Sequence, residues 1–368
     1  MSTTTKRVRL AIIGAGAVSD YHHVPGIRLD PRAELVAACD ADPKLLEKRC
    51  RDWGIDRVTT DYHEICAAPD IDGVLIATPN FTHKEIAIAA AAGGKHVMCE
   101  KPLGLNASEV DDMLQAAESA GVVHMTAFTY RFAPAMRYLK HLVERGELGT
   151  LRHFRSQRFL DLPETSWGWR QYQDKAGAGD LFDMTIHRID FAQDLLGPIN
   201  SVSGAIARFA ERTQTPDGRS CAPSDVDDWS AFLGEFAGGA VGVWEGTTLA
   251  KGYHRDGFGH EWAEINGSTG SAVYRLHEPN VILRGSTGHD LSPVEVPEQF
   301  LKPAGSPRNP RDGKPATVFR YDLAWEFVSA IVEGRPAVPS FLDGLRAQRV
   351  ADAVLKSYSE RRWVDLPR

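Results

Sequence analysis

Asp183 and His187 stand four residues apart in the run Gly177-Ala178-Gly179-Asp180-Leu181-Phe182-Asp183-Met184-Thr185-Ile186-His187-Arg188-Ile189-Asp190. A carboxylate one helical turn from an imidazole can orient the ring and tune its pKa, which suits the pair to proton transfer. Read as a helix at about 100° per residue, the segment gathers Asp183, His187, Asp190 and Asp194 into a stripe roughly 60° wide. Off the stripe the residues are largely apolar: Leu181, Phe182, Met184, Ile186, Ile189, Phe191, Ala192, Leu195 and Leu196. A surface helix shows a broader polar face, so so narrow a stripe predicts a buried helix lining a cavity. An ordinary solvated face is the alternative.

Lys101 offers a second reactive group, between Glu100 and Pro102 just past the apolar run Val97–Cys99. Strand C-termini in an open parallel sheet face the ligand crevice. An ammonium held there can hydrogen-bond a substrate oxygen and stabilise developing alkoxide charge. A surface lysine paired with Glu100 is the plainer alternative.

Both groups need a partner in the reaction, and the start of the chain supplies a candidate. Gly14-Ala15-Gly16-Ala17-Val18-Ser19 follows the apolar run Val8–Ile13 and precedes a helical stretch. Gly14 permits a tight turn, and Gly16 lets backbone amides around Ala17 and Val18 approach a pyrophosphate at the helix N-terminus. Ser19 replaces the third small residue of this pattern. Asp40 closes the next strand 26 residues after Gly14, close to where an acid binds the ribose diol. Its charge would repel a 2′-phosphate, and Ala41 and Asp42 supply no cation, so NAD is favoured over NADP.

The elements that must position these groups are legible as periodicities. Val8–Ile13, Leu35–Cys39, Val74–Ala77, Val97–Cys99 and Val122–Phe128 read as apolar strands. Helical patterns run between several of them, from about His83 to Ala92 and from an Asn106/Glu109 capping box to about Ala120. Continuous apolar strands alternating with helices imply a doubly wound α/β domain with a buried parallel sheet. After Tyr130-Arg131-Phe132 the pattern changes. A helix from about Pro134 to Arg145 precedes strands at Leu151–Phe159, Ile199–Phe209, Trp229–Phe236, Ala240–Thr248, Glu261–Asn266 and Ser271–Arg275, with short glycine-bearing turns between several of them. This is an α+β pattern with a mostly antiparallel sheet. Two helices, about Phe319–Glu333 and Asp343–Glu360, close the chain. The expected domains are 1–127 and 128–368, with the closing helices able to pack back on the first.

Composition narrows the class. A chain of 368 residues with 43% hydrophobic and 25% charged residues has room for two cores. A net charge of −7 argues against nucleic acid as a partner. The five cysteines are scattered without metal-ligand spacing, so no metal site is expected and a reducing compartment fits. No signal core or membrane-length apolar run is visible, and the expected location is the cytoplasm.

Taken in order, GAGAVSDYHH (14–23), Asp40, ATPNFTH (77–83), EKPL (100–103), TYRFAP (129–134), GAGDLFDMTIHRIDF (177–191), NGSTGS (266–271) and FLDGLRA (341–347) resemble the glucose-fructose oxidoreductase/inositol 2-dehydrogenase/rhizopine catabolism family. The resemblance covers nearly the whole chain. It implies an N-terminal Rossmann domain, a C-terminal α+β domain with a large open sheet used for dimer or tetramer contacts, and a cis peptide before Pro102. It also implies that Lys101, Asp183 and His187 are the catalytic group beside the nicotinamide. Thr78, Pro79, Asn80 and His83 would then flank the nicotinamide ribose, with Glu100 and Lys101 beside them. GAG at 177–179 departs from the commoner GGG.

The reaction so implied is oxidation of a secondary hydroxyl of a sugar, glycoside, anhydrosugar or cyclic polyol. His187 takes the proton, Asp183 orients it and Lys101 polarises the oxygen. Tyr130, Arg158, Trp167, Trp169 and Arg170 are the further substrate candidates. The tryptophans could stack on a pyranose face, although core packing is their plainer use. Arg152 and Arg155 read as sheet-surface charge. The segment SWGWRQYQDKAGAGDLFDMTIHRIDF is most similar to members acting on intact glucosides or anhydrosugars. An NAD-dependent glycoside hydrolase working by oxidation and elimination, or a silent dinucleotide-sensing regulator, are the rival readings.

Overall fold

The computed structural model describes residues 6–367; the first five residues, part of the segment read as lacking a signal core, lie outside them. Two compact units divide the chain. One comprises the residues through Thr129 together with Pro303–Pro310 and Arg320–Leu345, and the other Tyr130–Lys302, Arg311–Phe319 and Arg346–Arg368.

In the first unit, β1 (Val8–Ile13), β2 (Ala33–Cys39), β3 (Val58–Thr59), β4 (Gly73–Ile76), β5 (His96–Cys99) and β6 (His124–Thr126) form one sheet in the order β3-β2-β1-β4-β5-β6. Every pairing is parallel. Ala11, Ile13, Val74, Ile76, Val97 and Cys99 meet Ile86, Ala87, Ala90, Val110 and Met113 of the covering helices in one apolar core. Leu10, Ile12, Leu75 and Met98, which alternate with them on the other face, are buried too, and burial on both faces is why the strands read as unbroken apolar runs. Strand order reverses between β1 and β4, which opens a crevice beyond their carboxyl ends. The arrangement is a Rossmann fold.

Local chemistry explains the departures from expectation. β6 is shorter than Val122–Phe128 because the Val122 amide turns back to Ala117 and the Phe128 amide to Thr126, taking both ends out of the ladder. A helix at Pro43–Trp53 escaped the sequence reading although its signals are present. Asp42 accepts from the Lys44 and Leu45 amides, Pro43 sits in the first turn, and Gly54 closes it with φ 56°.

In the second unit, β7 (Leu151–Phe159), β8 (Ile199–Ala207), β9 (Trp229–Phe236), β10 (Val241–Thr247), β11 (His260–Gly267), β12 (Gly270–Arg275), β13 (Val281–Ser286), β14 (His289–Glu295) and β15 (Val364–Asp365) form a sheet in the order β14-β13-β12-β11-β7-β10-β9-β8-β15. The sheet is mixed: β7 and β10 run parallel at its centre and all other neighbours are antiparallel. Strand alternation sets the faces. Phe154, Ser156 and Arg158 of β7 are buried, while His153 and Arg155 are exposed. The helix Ile186–Leu196 lies on the buried face, with Phe191 edge-on to Phe154. β8 ends at Ala207, short of the expected Phe209, because the Phe209 and Ala210 amides turn to the Asp228 carboxylate at 2.6 and 2.9 Å.

Candidate active site

The crevice of the first unit begins at the glycine turn. Gly14 has φ +101°, and a Cβ there would stand 2.5 Å from the Ala77 carbonyl, so no side chain fits. A Cβ on Gly16 would meet nothing, which leaves the approach to the amides of the next helical turn open. Ser19, in the third small position, is buried and its hydroxyl donates to the Gly14 carbonyl at 2.6 Å. Asp40 accepts from the Ala15 amide at 2.7 Å and from the Asp42 amide at 2.9 Å, which fixes an acid at the end of β2 where a ribose diol would be read. Arg49 donates to the Ala15 carbonyl at 3.2 Å and pairs with Asp20 at 2.6 Å; it braces the turn and went unnoticed in the sequence.

The loops after β4 and β5 are tied together. His83 is fully buried, and its two ring nitrogens lie 2.9 Å from the carbonyls of Thr78 and Pro102. Its polar atoms are therefore committed to the backbone of both loops, and its influence on a bound dinucleotide runs through them. Thr82 donates to the Thr78 hydroxyl at 2.8 Å, and Asn80 is buried at the start of a short 3₁₀ turn after Pro79. The Lys101–Pro102 peptide is cis. Glu100 receives His23 Nε2 at 2.9 Å. Burial pushes the Glu100 carboxyl up, but the His23 hydrogen bond and the charges of His23, His22 and Lys101 outweigh it and bring its pKa to about 2.

The second unit carries the acid–imidazole pair, and there the helical reading needs correcting. Leu181–Thr185 is a π-turn, and the α-helix proper spans only Ile186–Leu196. Asp183 lies inside the π-turn, half-buried, and His187 lies just beyond it with 8% exposure. Such single wide turns recur at functional sites. The other half of the polar stripe is structural. Arg131 grips Asp190 at 2.5 and 2.9 Å and Asp194 at 3.1 Å, and Lys140 reaches Asp194 at 2.6 Å.

Four residues that the sequence reading gave no role support this segment and its surroundings: Asp227, Asp180, Gly246 and Glu261. Asp227 accepts from the Gly179 amide at 2.6 Å and the Leu181 amide at 3.0 Å, capping the π-turn from a loop 46 residues downstream. Burial and the neighbouring Asp180 push its pKa up to about 7. Asp180, also raised by burial, accepts from Ser230 at 2.7 Å and Thr185 at 2.8 Å. A Cβ on Gly246 would strike the Asp180 carboxylate and the Arg188 guanidinium, so this glycine makes room for them. Glu261 pairs with Arg158 at 2.9 Å, and Arg158 donates to the Tyr130 hydroxyl at 3.2 Å. The Tyr130 ring in turn packs edge-on against His187, 4.7 Å between centroids. The structure thus gathers Tyr130, Arg158, Asp183 and His187, with Arg158 buried and neutralised beneath Tyr130.

The tryptophan segment is placed differently. The Arg212 guanidinium lies 4.0 Å over the Trp167 ring, and Trp167 Nε1 donates to the Pro163 carbonyl at 3.2 Å. Arg212 is buried and paired with Asp228 at 2.5 Å. One face of Trp167 is therefore used within the fold. Trp169 is half-buried, with the exposed Arg170 guanidinium 4.4 Å from its ring. Arg152 is exposed, and Arg155 pairs with Glu264 at 2.6 Å on the outer face of the sheet. A single sequence gave little access to Arg212, Asp227 and Glu261, because their partners are remote in the chain.

Comparison with known proteins agrees with the Rossmann fold and the mixed sheet. Residues 8–128 match an oxidoreductase family with an NAD-binding Rossmann fold, and residues 136–273 match the GFO/IDH/MocA C-terminal domain. Levoglucosan dehydrogenase of Pseudarthrobacter phenanthrenivorans is 32% identical over 98% of this chain and 99% of its own. Myo-inositol 2-dehydrogenase of Thermotoga maritima is 29% identical over 98% of each. A solved structure of levoglucosan dehydrogenase in complex with NADH and levoglucosan superposes with a TM-score of 0.89 at 30% identity, covering 99% of this chain and 100% of that one. With both of its domains matched and relatives aligned along nearly the whole chain, the protein belongs to the GFO/IDH/MocA family of NAD-binding oxidoreductases that act on CH–OH groups.

Proposed function

We propose that this protein oxidises a secondary hydroxyl of an intact glycoside or anhydrosugar to the keto-sugar, with NAD as acceptor. The observation that carries the reading is the buried His187, backed by Tyr130 and set one turn from a half-buried Asp183. Levoglucosan dehydrogenase among the relatives supports an anhydrosugar or glycoside over an inositol through its higher identity, 32% against 29% for the myo-inositol 2-dehydrogenase.

NAD, when bound, supplies the hydride acceptor. The chain's own groups do the rest. Gly14, Gly16, Ala17, Val18 and Asp40 hold the dinucleotide, and Thr78, Pro79, Asn80 and the Glu100–Lys101 turn border its nicotinamide end. Lys101 donates to the reacting oxygen and stabilises the developing alkoxide. His187 accepts the hydroxyl proton, and Asp183 aligns the ring and favours the imidazolium that forms. The half-buried Trp169 and the exposed Arg170 are the aromatic and cationic groups suited to a pyranose face and its hydroxyls. Trp167, backed by Arg212, stiffens that segment.

Among the described residues no helix is long and apolar enough to cross a membrane. We assign the working protein to the cytoplasm as a homodimer or homotetramer. Leu233, Val241 and Val243, exposed together on the outer face of β9 and β10, support association through the sheet. The decisive test is NADH formation with levoglucosan, glucosides, glucose and inositols in parallel. Reduction of NAD with levoglucosan or a glucoside supports the reading. Turnover of inositols alone would overturn the substrate class, and sugar release without NADH accumulation would overturn the reaction.

A further inference from the structure

The rim of the dinucleotide crevice contains two buried histidines, beside the half-buried Glu100, that binding and catalysis as assigned above do not use. His22, His23 and Glu100 bring their polar atoms within 4.8 Å of one another. The cluster has the composition of a metal site, but its atoms are already engaged. His22 Nε2 meets the Arg320 carbonyl at 2.8 Å and His23 Nε2 meets Glu100 Oε1 at 2.9 Å. The two imidazoles stack with centroids 4.5 Å apart, so each limits the other's rotation.

The significance lies in what Glu100 does with its other oxygen. The Glu100 amide still belongs to the sheet ladder and donates to the Ile76 carbonyl at 2.8 Å. The next amide, that of Lys101, leaves the ladder and donates to Glu100 Oε2 at 3.3 Å. The carboxylate therefore bridges a fixed imidazole and the backbone of the lysine. On the far side of the same turn, the Pro102 carbonyl is held by His83. Lys101 projects from a turn anchored at both flanks by buried imidazoles, one of them acting through Glu100.

We infer that His23 is a positioning residue for Lys101: its imidazole holds the Glu100 carboxylate across the Lys101 amide and so fixes the turn from which the ammonium projects. The inference rests on the reading that Lys101 polarises the substrate oxygen. A carboxylate with only 12% of its side chain exposed is favoured by a partner. Deprived of His23, Glu100 would turn to the adjacent Lys101 ammonium, drawing it from the reacting oxygen. Because the defect concerns aim and not occupancy, it falls on kcat more than on cofactor affinity.

The test compares His23→Leu, which removes the donor, with His23→Gln, whose amide nitrogen can replace Nε2. Each is measured for kcat on the best substrate of the screen and for NADH Kd by fluorescence, with Lys101→Met alone and combined. His23→Leu is expected to lower kcat about 10- to 100-fold with NADH Kd within about threefold of wild type. His23→Gln should recover most of the loss. In the Lys101→Met background His23→Leu should change kcat by less than about twofold, since both act through one group. Wild-type kcat in His23→Leu, or an equal loss with and without Lys101, overturns the inference and leaves the role of Lys101 intact. An effect confined to NADH affinity overturns it equally, since His23 would then serve the glycine turn. Wild-type turnover in Lys101→Met refutes the catalytic reading itself, and the inference with it. Should His23→Leu fail to fold, Glu100→Gln reads the same clamp, with about a tenfold kcat loss expected and wild-type kcat refuting it.

Discussion

Gly179→Ala probes the π-turn with one methyl group. A Cβ at position 179 would stand 1.8 Å from the Asp227 carbonyl oxygen and 2.9 Å from its carbonyl carbon, both backbone atoms. Restoring an ordinary contact of 3.4 Å needs a displacement of about 1.6 Å between two main-chain segments. Three hydrogen bonds span that gap: Gly179 and Leu181 amides to the Asp227 carboxylate at 2.6 and 3.0 Å, and the Asp180 amide to the Asp227 carbonyl at 3.2 Å. A shift of that size breaks them all. Two bonds to a carboxylate at about 1.5–3 kcal/mol each and one neutral bond at about 1 kcal/mol give a loss of roughly 4–7 kcal/mol. That is comparable to the whole stability of many domains, about 5–15 kcal/mol. The assay pairs thermal unfolding with NADH titration and steady-state turnover. Melting is expected to fall by about 10–20 °C, and turnover of the surviving protein by about 100-fold as Asp183 loses its register. NADH binding, a property of the Rossmann unit, should persist. Ala178→Gly, one residue away, serves as control: Ala178 has an ordinary backbone and Gly177 carries the positive φ of +83°, so its cost stays near 1 kcal/mol. Gly179→Ala melting within about 2 °C of wild type with full turnover would refute the claim that Asp227 holds the π-turn.

Removing the reacting groups should separate their roles. His187→Ala and Lys101→Met are each expected to lower kcat about 10²- to 10⁴-fold with NADH affinity retained, and near-normal turnover in either removes that residue from the mechanism. Asp40→Ser should weaken NAD binding about 10- to 100-fold and narrow the preference over NADP, read from kcat/KM for the two cofactors; an unchanged ratio denies Asp40 the ribose. Asp227, raised to about 7 in the fold from an ordinary 3.8, stabilises the protein below pH 4 and loses that contribution as pH rises through 7. The melting advantage of wild type over Asp227→Asn should therefore shrink between pH 5 and pH 8, roughly the interval in which Asp227 ionises. A constant difference would place its titration elsewhere.

Legibility in the sequence followed the range of the interactions involved. β1, β7 and β9 have the limits read from periodicity, because burial on one or both faces writes itself into every residue of the strand. The glycine turn and Asp40 were legible because their chemistry is local. β13 and β14 were missed: they are half-exposed to exposed, and β14 carries Pro293 among Ser292, His289 and Asp290. The parallel β7–β10 pairing was hidden because no strand records its neighbour's direction. Arg49, Arg212, Asp227 and Glu261 were passed over for a similar reason: each reads as ordinary surface charge until the fold supplies its partner. The π-turn left no mark, since one inserted residue does not disturb an apolar pattern already nearly continuous.

Burial along the π-turn and helix sets Asp183 apart from its charged neighbours. Between Asp180 and Asp190 the permanently charged side chains are Asp180, Asp183, Arg188 and Asp190. Three of them are buried at 2% exposure or less. Each of those three has partners that explain its burial: Ser230 and Thr185 for Asp180, the Met184 carbonyl and Thr185 for Arg188, Arg131 for Asp190. Asp183 differs from these three in being half-exposed, and it lies within the π-turn. The polar stripe thus divides into an anchor at Asp190 and Asp194 and an end at Asp183 and His187 to which the proposed proton transfer is assigned. Substitutions at the anchor should cost stability first, and those at the other end rate first.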